Sequence, residues 1–210
     1  MYVACLDLEG VLVPEIWIGL AERTGIDALR LTTREVADYD ALMRHRLKAL
    51  DEHGLGFADI RAAAEALAPL PGAVAFLDWL RVRCQVAILS DTFYELAAPL
   101  MDQLGRPMLI CHTLAIDAGG RITGYRLRQR HPKRRAVAAF QSLNFKVVAI
   151  GDSYNDTRML ARADTGILFR PPDNVAEEFP AFPVCRSYDE LRMAIEAAMG
   201  AQPEAACAAG

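Results

Sequence analysis

Residues 2–11 read Tyr2-Val3-Ala4-Cys5-Leu6-Asp7-Leu8-Glu9-Gly10-Val11, a short apolar run that breaks into two carboxylates and a glycine. A run this short, bounded so sharply by polar residues, has the length of a strand buried on both faces. The pattern recurs from Val86 to Leu89, followed by Ser90-Asp91, and from Val147 to Ile150, followed by Gly151-Asp152. Three such strands predict a parallel sheet whose carboxyl edge collects all of these polar groups. In open α/β sheets that edge is where ligands bind.

Between these runs the periodicity becomes helical, as in Ala73, Phe76, Leu77 and Leu80, which share one helix face. Strands alternating with helices predict an α/β chain: a Rossmann-like parallel sheet flanked by helices. A β-hairpin excursion is expected over roughly 112–128, where Asp117-Ala118-Gly119-Gly120 supplies turn chemistry. Residues 14–70 contain no convincing strand and read as three helices, a small helical-bundle cap inserted after strand 1. Pro14 suits a first helical position, and Thr32-Thr33-Arg34-Glu35 matches a capping box. The expected domains are a core of 1–13 and 71–200, a cap of 14–70, and a flexible Ala-rich tail of 201–210.

At 210 residues the chain is long enough for one α/β core and a small accessory unit. Its net charge of -4 gives no electrostatic reason to bind a phosphate backbone, so nucleic acid is not an expected partner. The first residues reach Asp7 too soon for a signal peptide, and no apolar run is long enough for a membrane span. The cysteines Cys5, Cys84, Cys111, Cys185 and Cys207 are odd in number and form no CxxC pair, which fits a reducing, cytoplasmic setting.

The chemistry resides at the strand ends. Asp7 and Glu9 stand at alternate positions where a strand becomes a loop, so one can attack while the other handles protons. Gly151-Asp152-Ser153-Tyr154-Asn155-Asp156 delivers Asp152 from a strand and brings Asn155 and Asp156 beside it on the next turn, an oxygen cluster suited to magnesium. Ser90 can donate to a phosphoryl oxygen, and Lys133 can neutralise its charge. The bland alternatives are an acidic loop, helix caps and a solvated basic face. The four histidines, His45, His53, His112 and His131, show no ligand spacing and read as surface or satisfied polar residues.

Taken in order, these motifs resemble the haloacid dehalogenase superfamily, and the resemblance covers the whole core, with the insertion where that family's helical cap type is found. It implies Asp7 as nucleophile and Glu9 as general acid/base, with Ser90 and Lys133 holding a phosphoryl group. Magnesium would bind Asp7, the Glu9 carbonyl and Asp152, with Asp156 behind them.

Two charges in the cap bear on the substrate. Arg46 falls within the apolar arc of a helix carrying Val36, Tyr39, Met43, Leu47 and Leu50, and Glu15 is a lone acid within residues 11–18. One cation and one anion suit the carboxylate and ammonium of an amino acid, as in phosphoserine. Equally, Arg46 can snorkel and Glu15 can favour a helix N-terminus. The chain is similar to the phosphoserine phosphatases, whose cap glutamate and arginine grip the amino acid.

It departs from their usual pattern in three places. Glu9 replaces a second Asp, Ser90-Asp91-Thr92-Phe93 stands for Ser-Gly-Gly-Phe, and Gly-Asp-Ser-Tyr-Asn-Asp stands for Gly-Asp-Gly-Ala-Asn-Asp. These variants resemble the bifunctional phosphoserine phosphatase/phosphoserine:homoserine phosphotransferases, which implies homoserine as a second acceptor and places Asp91 and Asn155 at the substrate. A homodimer is compatible with this reading. The alternatives are a phosphatase for another small metabolite and a non-catalytic module that keeps the fold.

Overall fold

The structure, a computed structural model, describes residues 1–33, 36 and 38–200. Strand β1 (Tyr2–Leu6) leads into the helices α1 (Ile16–Thr24), α2 (Tyr39–Glu52) and α3 (Phe57–Ala66), with a 3-10 turn at Asp27–Arg30. The chain then runs through α4 (Ala73–Arg81), β2 (Gln85–Phe93), α5 (Tyr94–Gln103) and the pair β3 (Met108–Ile116) and β4 (Ile122–Arg126). It continues through α6 (Pro132–Ser142), β5 (Lys146–Gly151), a 3-10 turn at Tyr154–Asp156, α7 (Thr157–Leu160) and β6 (Thr165–Phe169). It closes with α8 (Asp173–Glu178), β7 (Val184–Cys185) and α9 (Tyr188–Gly200).

The strands of the described residues form one sheet in the order β4-β3-β2-β1-β5-β6-β7. All neighbours are parallel except β3 and β4, which form the expected hairpin. In β1, Cys5 pairs with Ala87 on one side and Ala149 on the other, so β1 is central. Alternate residues explain the unbroken apolar runs: Ala4, Leu6, Ile88 and Ile150 enter one core, whereas Val3, Cys5, Leu89 and Ala149 enter the other. From β1 the chain winds outward through β2, β3 and β4, then crosses back to β5. The reversal opens a crevice at the carboxyl ends of β1, β2 and β5, the place where such sheets hold ligands.

The three expected strands and the buried face of α4, Ala73, Phe76, Leu77 and Leu80, are present. Several local readings need correction. Pro14 is not the first helical residue: α1 starts at Ile16, with extended Glu15 as its N-cap. Val36 precedes α2 rather than lying on it, because Asp38 caps that helix by accepting from the backbone N–H groups of Asp40 (3.0 Å) and Ala41 (3.2 Å). The capping box expected at 32–35 includes Arg34 and Glu35, which lie outside the described residues, as does the tail 201–210. Ser90 does not end β2; the strand continues to Phe93 with its register to β3 shifted between Leu89 and Phe93, so Ser90, Asp91 and Thr92 sit in an irregular segment.

The hairpin reaches the inserted helices and holds them over the sheet edge. Its turn is closed by Asp117, whose Oδ1 accepts from the N–H groups of Gly119 and Arg121, both at 2.9 Å. Phe57 donates its N–H to the Gly120 carbonyl (2.9 Å), Arg121 forms a two-pronged pair with Asp51, and the Tyr125 hydroxyl meets Asp40. Among the described residues no helix is long and apolar enough to cross a membrane, and Cys5, Cys84, Cys111 and Cys185 are free thiols.

Tyr188 ties the C-terminal helix to the loop after β1. Its ring stacks on Phe76 (5.0 Å) and Phe169 (4.9 Å), and its buried hydroxyl donates to the Val11 carbonyl at 2.6 Å. Tyr188→Phe keeps the stack and orphans that carbonyl, so it is expected to lower stability by about 1–3 kcal/mol. The denaturant midpoint measures this, and an unchanged midpoint would show that the hydroxyl contributes nothing.

Candidate active site

Two glycines let the loops close together. Gly10 has φ +77°, and a Cβ there would lie 2.5 Å from Asp152 Oδ2, so only glycine allows the loop after β1 to pass that carboxylate. At the end of β5, a Cβ on Gly151 would lie 2.3 Å from the Asp156 Cβ. The space lets Asp156 fold back, and its Oδ2 accepts from the N–H groups of Asp152 (3.0 Å) and Ser153 (3.3 Å). Asp7 is fixed by its N–H to the Ile150 carbonyl (2.9 Å) and by the Leu8 N–H, which donates to Asp7 Oδ1 at 2.7 Å.

Pro132 occupies the first turn of α6, and the next residue, Lys133, points inward. Its Nζ lies 2.8 Å from Asp7 Oδ2, 2.8 Å from Asp156 Oδ1 and 3.5 Å from Asp91 Oδ2, with the side chain 4% exposed. Burial disfavours the ammonium, but Asp156, Asp7 and Asp91 outweigh it and hold the lysine well above its ordinary pKa. Asp7 is also shifted upward, which for a carboxylate disfavours the charged form. Burial, then repulsion from Asp156 and Asp152, keep it well above the usual range despite Lys133.

Asp7, Asp152 and Asp156 each offer a carboxylate oxygen, all within 4.8 Å of one another. Hard oxygen donors in a buried anionic cluster could hold a divalent cation of the magnesium type, which would relieve the repulsion that raises Asp7. The residues therefore fit such an ion. Asp156 gives Oδ1 to Lys133 and Oδ2 to the two backbone donors, and so braces the cluster from behind.

Glu9 Oε1 accepts the N–H of Ile16 at 2.8 Å, joining this loop to the start of α1. Burial, then repulsion from Glu15, push its carboxyl up to about 8 against the pull of that hydrogen bond. A chamber of about 40 Å³ is lined by Asp7, Glu9, Glu15, Arg46, Ser90, Asp91, Asp152 and Asn155. With Lys133 and Asp156 bonded to Asp7 and its neighbours, all ten residues singled out from sequence converge here. Arg46 is indeed buried within the apolar face of α2. Its guanidinium lies 4.5 Å over the Trp17 ring and donates to the Leu31 carbonyl at 3.0 Å, while its Nε has no hydrogen-bond partner among the described residues.

Several contributors were not visible in the sequence. His112, read as a surface or ordinary polar residue, is 2% exposed at the chamber's edge. Its Nδ1 accepts the Arg128 N–H (3.2 Å), which leaves the proton on Nε2, 3.4 Å from Asp91 Oδ1. Asn155 donates to Asp91 Oδ2 at 2.9 Å, and the Tyr39 hydroxyl donates to the Asp91 carbonyl at 2.7 Å. Burial alone would raise the Asp91 carboxyl, but Lys133, His112 and Asn155 together hold it well below the usual range. Trp17, Thr32 and Ser153 also line the chamber, as does Thr92, which the sequence had marked as a departure from the usual motif. No spacing rule marks Trp17, Thr32 or Ser153, because each arrives from a different element.

Comparison with known proteins gives a consistent set of likenesses. Residues 3–164 match a family of hydrolases described as haloacid dehalogenase-like hydrolase. The chain is 62% identical over 190 residues to a phosphoserine phosphatase of Pseudomonas syringae pv. tomato, covering 90% of this chain and 80% of that protein. It is 61% identical over 192 residues to the phosphoserine phosphatase ThrH of Pseudomonas aeruginosa, covering 91% and 94% respectively. Among solved structures, a phospho-aspartyl intermediate analogue of phosphoserine phosphatase superposes with a TM-score of 0.77 at 18% identity, covering 92% of this chain and 98% of that one, a likeness of fold alone.

The Glu9 shift has a consequence for stability in metal-free protein. A carboxyl that titrates at about 8 in the fold, against a usual 4.5, keeps its proton in the folded state while the unfolded chain has lost it. Its contribution is full below about 4.5 and lost as pH rises through about 8, and Asp7 acts with the same sign. In the presence of chelator, Glu9→Gln is expected to narrow the fall in melting temperature between pH 5 and pH 8. An unaltered fall would mean that Glu9 titrates as an ordinary carboxylate.

Proposed function

The chain belongs to the haloacid dehalogenase-like hydrolases, and on that footing we propose that it is a phosphoserine phosphatase that also passes the phosphoryl group to homoserine. The observation that carries the amino-acid substrate is Arg46: a buried guanidinium with an unpartnered Nε, lining the same chamber as Asp7 and Glu15. A buried donor of this kind is costly unless an acceptor reaches it, and a substrate carboxylate is one. Glu15 would take the ammonium. Residues 14–70 act as the cap that brings both charges over the sheet edge. The named activities of the Pseudomonas relatives support the same reading.

In the proposed reaction Asp7 attacks phosphorus, the bond to the serine oxygen breaks, and Glu9 gives its proton to the departing alkoxide. A carboxyl raised to about 8 still carries that proton at neutral pH. The phosphate is then carried by Asp7 as an acyl phosphate. Glu9, now ionised, takes a proton from water or from the homoserine hydroxyl as its oxygen attacks the same phosphorus and releases Asp7. Ser90 donates to the phosphoryl oxygens, and Lys133 offsets their charge from 2.8 Å beside Asp7. Asp7, Asp152 and the Glu9 carbonyl would hold magnesium, which when bound would supply further positive charge against these oxygens.

Transfer competes with hydrolysis because a well-placed alcohol has an effective molarity of about 10⁵ M or more, against roughly 55 M for water. Asp91 and Thr92, where smaller residues are usual in the resembling family, narrow the chamber in which the acceptor is held.

The wild type is expected to release phosphate from phosphoserine with magnesium and not with chelator, and to form homoserine phosphate when homoserine is added. Asp7→Asn should lower kcat by at least about 10³-fold, since it removes the nucleophile. Arg46→Ala should raise KM for phosphoserine by roughly 10- to 100-fold, the worth of a charged hydrogen bond, and leave phosphoethanolamine, which lacks the carboxylate, little changed. Equal losses on both esters would remove the carboxylate role from Arg46.

A further inference from the structure

Arg126, Arg128, Arg130, Lys133, Arg134 and Arg135 place six cations within ten residues of a chain whose net charge is -4. Lys133 turns inward to Asp7. Arg130 and Arg134 stay at the surface and, with Arg158 from α7, line an outer cavity of about 440 Å³. That cavity opens on the reacting centre without containing it: Lys133 lines it, whereas neither Asp7 nor Asp152 does. It does share Thr33, Tyr39, Asp91 and Asn155 with the inner chamber, so the two adjoin across Tyr39.

The guanidiniums of this rim differ from others on the molecule. Arg61, Arg81, Arg121 and Arg192 each pair with a carboxylate. Among the described residues Arg130, Arg134, Arg158 and Arg162 form no ion pair, and Arg158 instead points one N–H at His131 Nδ1, 2.8 Å away. Among the described residues the acids facing the outer cavity are Asp38, which caps α2, and Asp91, which is matched to Lys133 and His112. A neighbouring hollow adds Arg162 beside Arg134 and Arg158 and has no acid in its wall among the described residues. His131 registers the resulting field. Arg158 first, then burial, then Arg130, Arg134 and Arg135 hold its imidazole below the ordinary value.

We infer that this arginine rim is a capture site for the phosphate dianion of a phosphomonoester, and for inorganic phosphate on its way out. The inner chamber offers about 40 Å³ against about 440 Å³ in the outer cavity that adjoins it, so an ester approaching through the wider opening meets the arginine rim first. A net negative molecule repels a dianion at long range, whereas unpaired guanidiniums focused in a cleft raise its local concentration and association rate. Within the same cavity the phosphate meets Lys133, whose ammonium leads on to Asp7. The inference rests on the phosphomonoester reading above and extends it to how the substrate is gathered.

The test uses magnesium-loaded protein with phosphoserine as substrate and inorganic phosphate as a second probe. Arg134→Glu and the triple variant Arg130→Gln/Arg134→Gln/Arg158→Gln are compared with wild type and with Arg23→Glu, a surface change of equal charge on α1. Near 0.01 M salt, where the Debye length is about 30 Å, the rim variants are expected to lose about tenfold in kcat/KM, with kcat within about twofold of wild type. The gap should close near 1 M salt, where the Debye length is about 3 Å. Calorimetric binding of inorganic phosphate should weaken in parallel, and Arg23→Glu should behave as wild type.

Equal losses in Arg23→Glu and Arg134→Glu would reduce the effect to net charge and overturn the inference. So would a loss that persists at high salt, which marks a structural defect, or no loss at low salt. If the wild type fails to turn over phosphoserine, the substrate reading falls. The rim is then judged on phosphate binding alone, where insensitivity to Arg134→Glu overturns it.

Discussion

Lys133 is an ammonium taken almost entirely out of water, and the architecture of the site follows from what makes that tolerable. Three carboxylates, Asp7 after β1, Asp91 in the irregular end of β2 and Asp156 in the turn after β5, surround its Nζ. A buried ion pair gains little net stability, because desolvation cancels most of the attraction, but breaking one by removing a partner costs about 3–5 kcal/mol. The cluster therefore acts as a constraint: β1, β2, β5 and α6 can end where they do only if all four side chains meet. The same constraint leaves two carboxylates more than the lysine can neutralise, with Asp152 also at hand. That surplus raises Asp7 and makes the centre receptive to a divalent cation and then to a phosphoryl group.

The second set of forces comes from the inserted helices. Glu9 spans the two parts of the molecule, its side chain accepting the first N–H of α1 while its backbone stays in the loop of β1. Burial under those helices, with Glu15 close by, is what raises its carboxyl into the range useful for an acid at neutral pH. The hairpin has a supporting role at both levels. Its turn and strands hold α2 and α3 from outside, and His112 on β3 orients Asp91 from within. His112 and Asn155 keep Asp91 near Lys133 without letting it displace Asp7 from the ammonium.

Residue sequence alone determined the core architecture. Apolar runs of four or five residues, each ending in Asp or Ser, permit little except buried parallel strands, and the observed sheet places them side by side with β1 in the centre. The order Asp7, Glu9, Ser90, Lys133, Asp152 also named the polar groups of the carboxyl edge, because a parallel sheet delivers every strand end to one side. Arg46 was legible for a related reason: a charge inside a helical apolar arc has no bland place to go, and it is buried as its position implied.

Tertiary structure decided what periodicity and spacing do not encode. The helix starts moved from Pro14 to Ile16 and to Tyr39, since the caps are set by Glu9 reaching across the loop and by Asp38, not by local propensity. His112 carries no signal in its neighbourhood, and its role arises only because β3 lies beside the irregular end of β2. The division between an inner chamber and a basic outer cavity is likewise invisible in a chain of net charge -4. Only folding turns Lys133 inward while leaving Arg130, Arg134 and Arg158 around the opening. Sequence thus dictated which groups the strands deliver, because burial and strand direction are local properties. Contacts between elements far apart in the chain set their charges and their partners.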